Sequence, residues 1–158
     1  MNKQANSRQC FVCGVENHFG LKLKFYETEP GHVLAETIVP AHFQGYPGVV
    51  HGGIVAAMLD EVSGRTMIRG EPPRWMVTAK MEVRYRKPVP VGKLLLLEGL
   101  AKQDKGRIAT VVGSICDENH VLLAELEAVL AEIPAHILNP SNFGPDDWKI
   151  YPDEEILA

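Results

Sequence analysis

The chain has 158 residues, of which 46% are apolar, and a formal net charge of −4. That length suits one domain with a core of its own, and the composition excludes wholesale disorder. No run of about 18 apolar residues is present to cross a bilayer, and the polar start Met1–Gln9 has no apolar signal core, so a cytoplasmic protein is expected.

The charge is unevenly spread. From Pro134 to Ala158 there are five acids against Lys149, a net of −4, and the other residues balance to zero. Arg65–Arg107 carries eleven basic residues and four acids, a net of +7. Such a stretch is either a solvated basic surface or a place for an anionic ligand.

In chain order, Cys10-Phe11-Val12-Cys13-Gly14 comes first, with the spacing of half a zinc knuckle. Structural zinc takes four ligands, and no second cysteine pair exists. His18 and Cys116 are donors that could in principle complete one, and the expectation is no metal. Three cysteines form no disulfide framework and fit a reducing compartment. Leu21–Glu27 alternates apolar and polar residues, which predicts a strand. Pro30-Gly31 marks a turn and His32–Val39 its hairpin partner. A loop follows over Pro40–Val50.

His51–Ile68 is apolar nearly all round, which predicts a helix buried on most sides. Val77, Ala79, Met81, Val83 and Tyr85 alternate with Thr78, Lys80, Glu82, Arg84 and Arg86, predicting a half-buried strand with Thr78 on its polar face. Further strands are expected at Lys93–Lys102, Arg107–Cys116 and Val121–Glu132. Four prolines after Ile133 leave no room for a long element. Two strands, one buried helix and four strands predict an α+β fold in which one curved antiparallel sheet wraps a central helix. The expected division is a domain over 1–133 and an acidic, proline-containing tail over 134–158.

The candidate chemistry lies on the helix. His51-Gly52-Gly53 puts two glycines at its start, where backbone N–H groups lack internal partners and the dipole favours an oxyanion. The plainer reading is a glycine-rich entry with His51 as cap. Asp60 and Glu61 are costly in an apolar helix unless satisfied or used. Glu61 is expected to pair with Arg65 at i+4. Asp60 lies on a stripe of small residues, Gly53, Ala57 and Gly64, with room beside it for water or substrate. Asp60 follows His51 by nine positions, about 13 Å along a helix. A base must come within about 3 Å of its target. Asp60 and the Gly52 amide therefore serve one carbonyl only if two chains pack their helices antiparallel, giving a homodimer with two shared sites.

Val50–Glu61 resembles the signature of the hotdog-fold acyl-CoA thioesterases, in the branch of phenylacetyl-CoA-type thioesterases and thioesterase superfamily members. Cys10-Phe11-Val12-Cys13-Gly14…Asn17…Gly20-Leu21 and Thr78–Pro88 resemble that branch as well, so the similarity spans about residues 10 to 133. It implies hydrolysis of acyl-CoA to a free acid and coenzyme A without metal or redox cofactor, by a homodimer or a dimer of dimers, with no nucleic-acid or membrane partner. It further implies that Gly52 N–H polarises the thioester carbonyl, that His51 fixes that turn, that Asp60 of the second chain acts as base or nucleophile, and that Thr78 orients it. Arg84, Arg86 and Lys87 fall where basic residues meet coenzyme A phosphates. One departure is Gly45, where some members carry Asn or Gln; the neighbouring Gln44 is the available substitute. The alternatives are a non-catalytic acyl-CoA-binding protein and a hydroxyacyl-thioester dehydratase using His51 with Glu61. The acyl group is not legible, since pocket size turns on residues such as Phe143, Trp148 and Tyr151.

Overall fold

The computed structural model describes residues 1–70, 73–134, 136–137, 144 and 146–153. Five strands expected from the sequence are present, β4 (His32–Ile38), β5 (Met76–Tyr85), β6 (Leu94–Asp104), β7 (Ile108–Asp117) and β8 (Leu122–Glu132), and the first expected strand is displaced to β3 (Tyr26–Glu29). Three two-residue strands join them: β1 (Asn2–Lys3), β2 (Asn6–Ser7) and β9 (Trp148–Lys149). Seven strands form one antiparallel sheet in the order β1-β3-β4-β6-β7-β8-β5, and β2 pairs with β9. Helix α1 (Gly52–Gly64) lies on the sheet and touches each of β4 to β8, so the sheet wraps it as expected. A 3₁₀ turn over Arg65–Met67 prolongs the helix.

Alternation decides which strand residues meet the helix. Leu95 and Leu97 of β6, Ala109, Val111 and Ile115 of β7, and Ala124, Leu126, Ala128 and Leu130 of β8 are buried against Val55, Met58, Leu59 and Val62 of α1. The closest approach is at two glycines that face each other across β6 and β7, Gly99 and Gly113. A Cβ on Gly99 would fall 2.2 Å from the Val62 carbonyl oxygen, and one on Gly113 2.3 Å from Ser63 Oγ. Gly99→Ala is expected to cost at least about 1–3 kcal/mol, because the helix must lift off the sheet. Gly64→Ala has open space at a helical φ and is expected to stabilise by roughly 0.4–1 kcal/mol. Urea unfolding of both variants checks the opposite signs.

Two sequence expectations change. Leu21–Phe25 is not a strand: Leu21 and Leu23 N–H bond the Phe11 and Val12 carbonyls, and Lys22 sits at φ 54°. The alternation still placed Leu23 and Phe25 in the core. Strand β5 is not half-buried, for it forms the sheet edge, pairs only with β8 and leaves Val77, Met81 and Tyr85 about half exposed.

Of the stretch read as an acidic tail, residues 148–153 pack against the N-terminal segment. Asn6 and Ser7 pair with Lys149 and Trp148, Lys3 bonds Asp153 at 2.7 Å, and Trp148 stacks edge-on with Trp75 at 4.9 Å. Tyr151 is buried beside Val15. Phe143, Glu154 and Glu155 lie outside the described residues.

Candidate active site

The loop before α1 is pinned at several points. Val50 N–H donates to the Val89 carbonyl, His51 N–H to that of Phe43, and Gly45 N–H to that of Val49. Gln44 turns its side-chain oxygen to Gly48 N–H at 3.2 Å and so serves the loop. His51 caps the helix, its Nδ1 accepting from Gly53 N–H at 2.9 Å while its carbonyl takes Ile54 and Val55 N–H. Gly52 N–H is left without a partner among the described residues, and Gly52 is exposed. The nearest atom to a Cβ at Gly52 would be Tyr85 Oη at 3.6 Å. The chain's own packing therefore leaves this position room for a side chain. Tyr85 Oη donates to the Gly52 carbonyl at 2.7 Å and fixes the first turn from β5. Gly52, His51, Tyr46, Tyr85, Arg86 and Lys87 line one recess of about 760 Å³.

A second recess, of about 470 Å³, is lined by Asp60, Thr78, Cys10, Cys13, Glu61 and Trp148 among others. Thr78 Oγ1 donates to Asp60 Oδ1 at 2.5 Å. This contact corrects the sequence placement of Thr78. Thr78 pairs with Leu130 and Lys80 with the adjacent Val129, so the β5–β8 register shifts between them. A bulge of this kind turns side chains over relative to the regular alternation. Beyond it Met81, Val83 and Tyr85 oppose Ala128, Leu126 and Ala124, the helix-facing residues of β8, as Thr78 opposes Leu130. Thr78 thereby joins the helix side of a strand whose simple period puts it outside.

The remaining expected residues separate. Arg86 and Lys87 line the Gly52 recess, and the Arg86 guanidinium pairs with Glu125, outside that recess, at 2.6 Å. Arg84 opposes Glu125 on the other face of the sheet and bonds Glu82, whose carboxylate raises its pKa. Glu61 pairs with the buried Arg65 at 2.9 Å, as the i+4 spacing predicts. That pairing takes it away from His51 and from a dehydratase pair. His18 and Cys116 are not in the cluster formed by Cys10 and Cys13.

The helix thus carries a free amide at one end and a held carboxylate near the other, in different recesses. Along the helix Ala56, Ala57, Asp60 and Gly64 are only partly covered. The family model of the thioesterase superfamily matches residues 47–124, which include α1, strands β5 to β7 and the residues Gly52, Asp60 and Thr78. Over these residues the chain is a thioesterase-superfamily domain. A superfamily protein of known structure is 29% identical with a TM-score of 0.72, covering 78% of this chain and 63% of that one. The sheet of the present chain, wrapped round a single helix, is the hotdog fold. The structure of smu.793 from Streptococcus mutans, determined with acetyl-CoA bound, is 23% identical with a TM-score of 0.64, covering 70% of this chain and 88% of that one. Among curated proteins, mouse acyl-coenzyme A thioesterase THEM4 is 32% identical over 106 residues, 66% of this chain and 45% of the relative. The chain therefore matches less than half the length of that relative. No helix among its described residues is long and apolar enough to cross a membrane.

Proposed function

We propose that the chain hydrolyses acyl-CoA thioesters in a site that two copies build together. The observation that carries this reading is the Asp60–Thr78 pair on a helix face that its own chain leaves partly open. A carboxylate held by one hydroxyl, with one oxygen left for water, suits a general base. The thioester carbonyl would accept from Gly52 N–H, and the partner's Asp60 would take a proton from water as it attacks the carbonyl carbon. The coenzyme A thiolate then leaves and is protonated. The THEM4 resemblance and the acetyl-CoA bound by the Streptococcus mutans protein support the substrate class.

The second copy is argued from β5. Ten residues of edge strand with exposed Val77, Met81 and Tyr85 form a ready template for another strand. Antiparallel pairing of β5 with its copy about a two-fold axis would continue the sheet and bring the two helices alongside, head to tail. Gly52 of one chain would then approach Asp60 of the other. Purified protein offered a panel of acyl-CoAs, with free thiol as readout, tests the activity. Tight binding without thiol release would make the chain a binding module instead.

Arg86 and Lys87 are proposed to meet the coenzyme A phosphates at the mouth of the Gly52 recess. Removing one charge-assisted contact is worth roughly 1.5 kcal/mol, or about tenfold. Arg86→Ala and Lys87→Ala are each expected to raise KM for CoA esters by about that factor and to spare thioesters that lack the nucleotide. Arg84→Ala, on the other face, is expected to leave KM unchanged. A KM rise confined to Arg84→Ala would move the nucleotide to the outer face of the sheet.

A further inference from the structure

We infer that Cys10, Cys13 and Glu61 form a binding site for a zinc-type divalent transition-metal ion in the recess that Asp60 also lines. The inference does not depend on the thioesterase reading.

Cys10 Sγ accepts N–H groups from Val12 at 3.3 Å and Cys13 at 3.5 Å. Gly14 N–H closes the turn on the Cys10 carbonyl at 2.8 Å, and a Cβ on Gly14 would fall 2.2 Å from that oxygen. Residues 10–14 therefore form a tight turn that presents a sulfur with two amide donors behind it. Such donors stabilise a thiolate. Asn6, fully buried, ties the turn to the core by donating to the Cys13 and Leu23 carbonyls at 2.7 and 2.8 Å.

The sequence offered no second cysteine pair, and the fold brings a carboxylate in its place. Donor atoms of Cys10, Cys13 and Glu61 all lie within 4.8 Å of one another, and Cys10 Sγ is 3.9 Å from Glu61 Oε2. Tetrahedral zinc places two sulfurs about 3.8 Å apart and a sulfur and an oxygen about 3.6 Å apart. The observed cluster needs only small movements to reach that size. Glu61 is also oriented for it. Arg65 Nε holds Oε1 at 2.9 Å, leaving Oε2 toward the sulfurs, as outer-sphere partners do at metal sites.

Charge completes the case. Two thiolates and one carboxylate carry three negative charges, and the buried guanidinium of Arg65 offsets one. The two that remain match a divalent cation. Metal binding would release the thiol protons, and three protein donors leave a fourth position for water or another small ligand.

The test is cobalt titration of the full chain, reduced with a phosphine that does not compete for metal. One equivalent is expected to raise a thiolate-to-cobalt charge-transfer band and the intense visible bands of four-coordinate cobalt, and zinc is expected to displace it. Cys10→Ser and Cys13→Ser should lose saturable binding, Glu61→Gln should weaken it at least tenfold, and Cys116→Ser should leave it unchanged. Should the serine variants not fold, protection of Cys10 and Cys13 from alkylation by zinc in the wild type reports the same contact. Absence of the band in reduced wild-type protein, or an undiminished band in Cys10→Ser, overturns the site. Neither readout uses acyl-CoA, so failure of the thioesterase reading leaves this test intact.

Discussion

Asp60→Asn is expected to lower kcat for acyl-CoA hydrolysis by about 10²–10⁴-fold with little change in fold stability, the range for loss of a positioned general base. Asparagine keeps the shape of the side chain and an oxygen that can still accept from Thr78 Oγ1. It cannot take a proton from water. Asp60 is partly exposed and its helix neighbours on that face are small, so the substitution neither opens a cavity nor buries a new polar group. Thr78→Val separates holding from base chemistry. It removes the hydroxyl that orients Asp60 while leaving the carboxylate, so a smaller loss, roughly tenfold, is expected. Thiol release by both variants under saturating acyl-CoA is the measurement. Wild-type rates in Asp60→Asn would remove Asp60 from the mechanism altogether.

The two carboxylates that the sequence places side by side show how far helical periodicity reaches. Glu61 to Arg65 is a contact within one helix, and the i+4 spacing describes it fully. Asp60 to Thr78 crosses from α1 to β5, and its partner depends on a single extra residue in the β5 ladder. Period-two reading assumes an unbroken strand, so it put Thr78 with the outward Lys80 and Glu82. Nothing in Thr78-Ala79-Lys80 marks the bulge, since no glycine or proline stands there. The edge position of β5 was hidden for a related reason. Alternation records which residues have an apolar face but not what covers it, and the half-exposed Val77, Met81 and Tyr85 look the same in sequence as buried ones.

Local turns were legible only in part. The glycine entry to α1, the His51 cap and the turns at Gly31 and Gly106, both at positive φ, follow from residue type. The failure at Leu21–Phe25 came from competition for backbone donors. Leu21 and Leu23 give theirs to the turn at Phe11–Val12, a partner ten residues upstream that no window of a few residues contains. The same blindness left Cys10 and Cys13 as half a site, because Glu61 reaches them from 48 or more positions away.

A shared site makes a stricter prediction than either half. Gly52→Asp is expected to be inactive alone, since a carboxylate at the first helical position faces the oxyanion that Gly52 N–H would receive. It is also expected to fold, because space is open there and an acid suits a helix N-terminus. Asp60→Asn is expected to be inactive for the separate reason given above. If each site takes Gly52 from one chain and Asp60 from the other, a mixed dimer of the two variants has one site with both defects and one with neither. Random assortment gives half mixed dimers, each with one intact site of two, so an equal mixture should recover about a quarter of wild-type activity. Recovery must require exchange of subunits, which co-expression with two affinity tags permits and which simple mixing of stable dimers does not. If tandem-purified mixed dimers show no activity above the separate variants, Gly52 and Asp60 do not meet across the two-fold axis. The exposed β5 edge would then serve some purpose other than building the site.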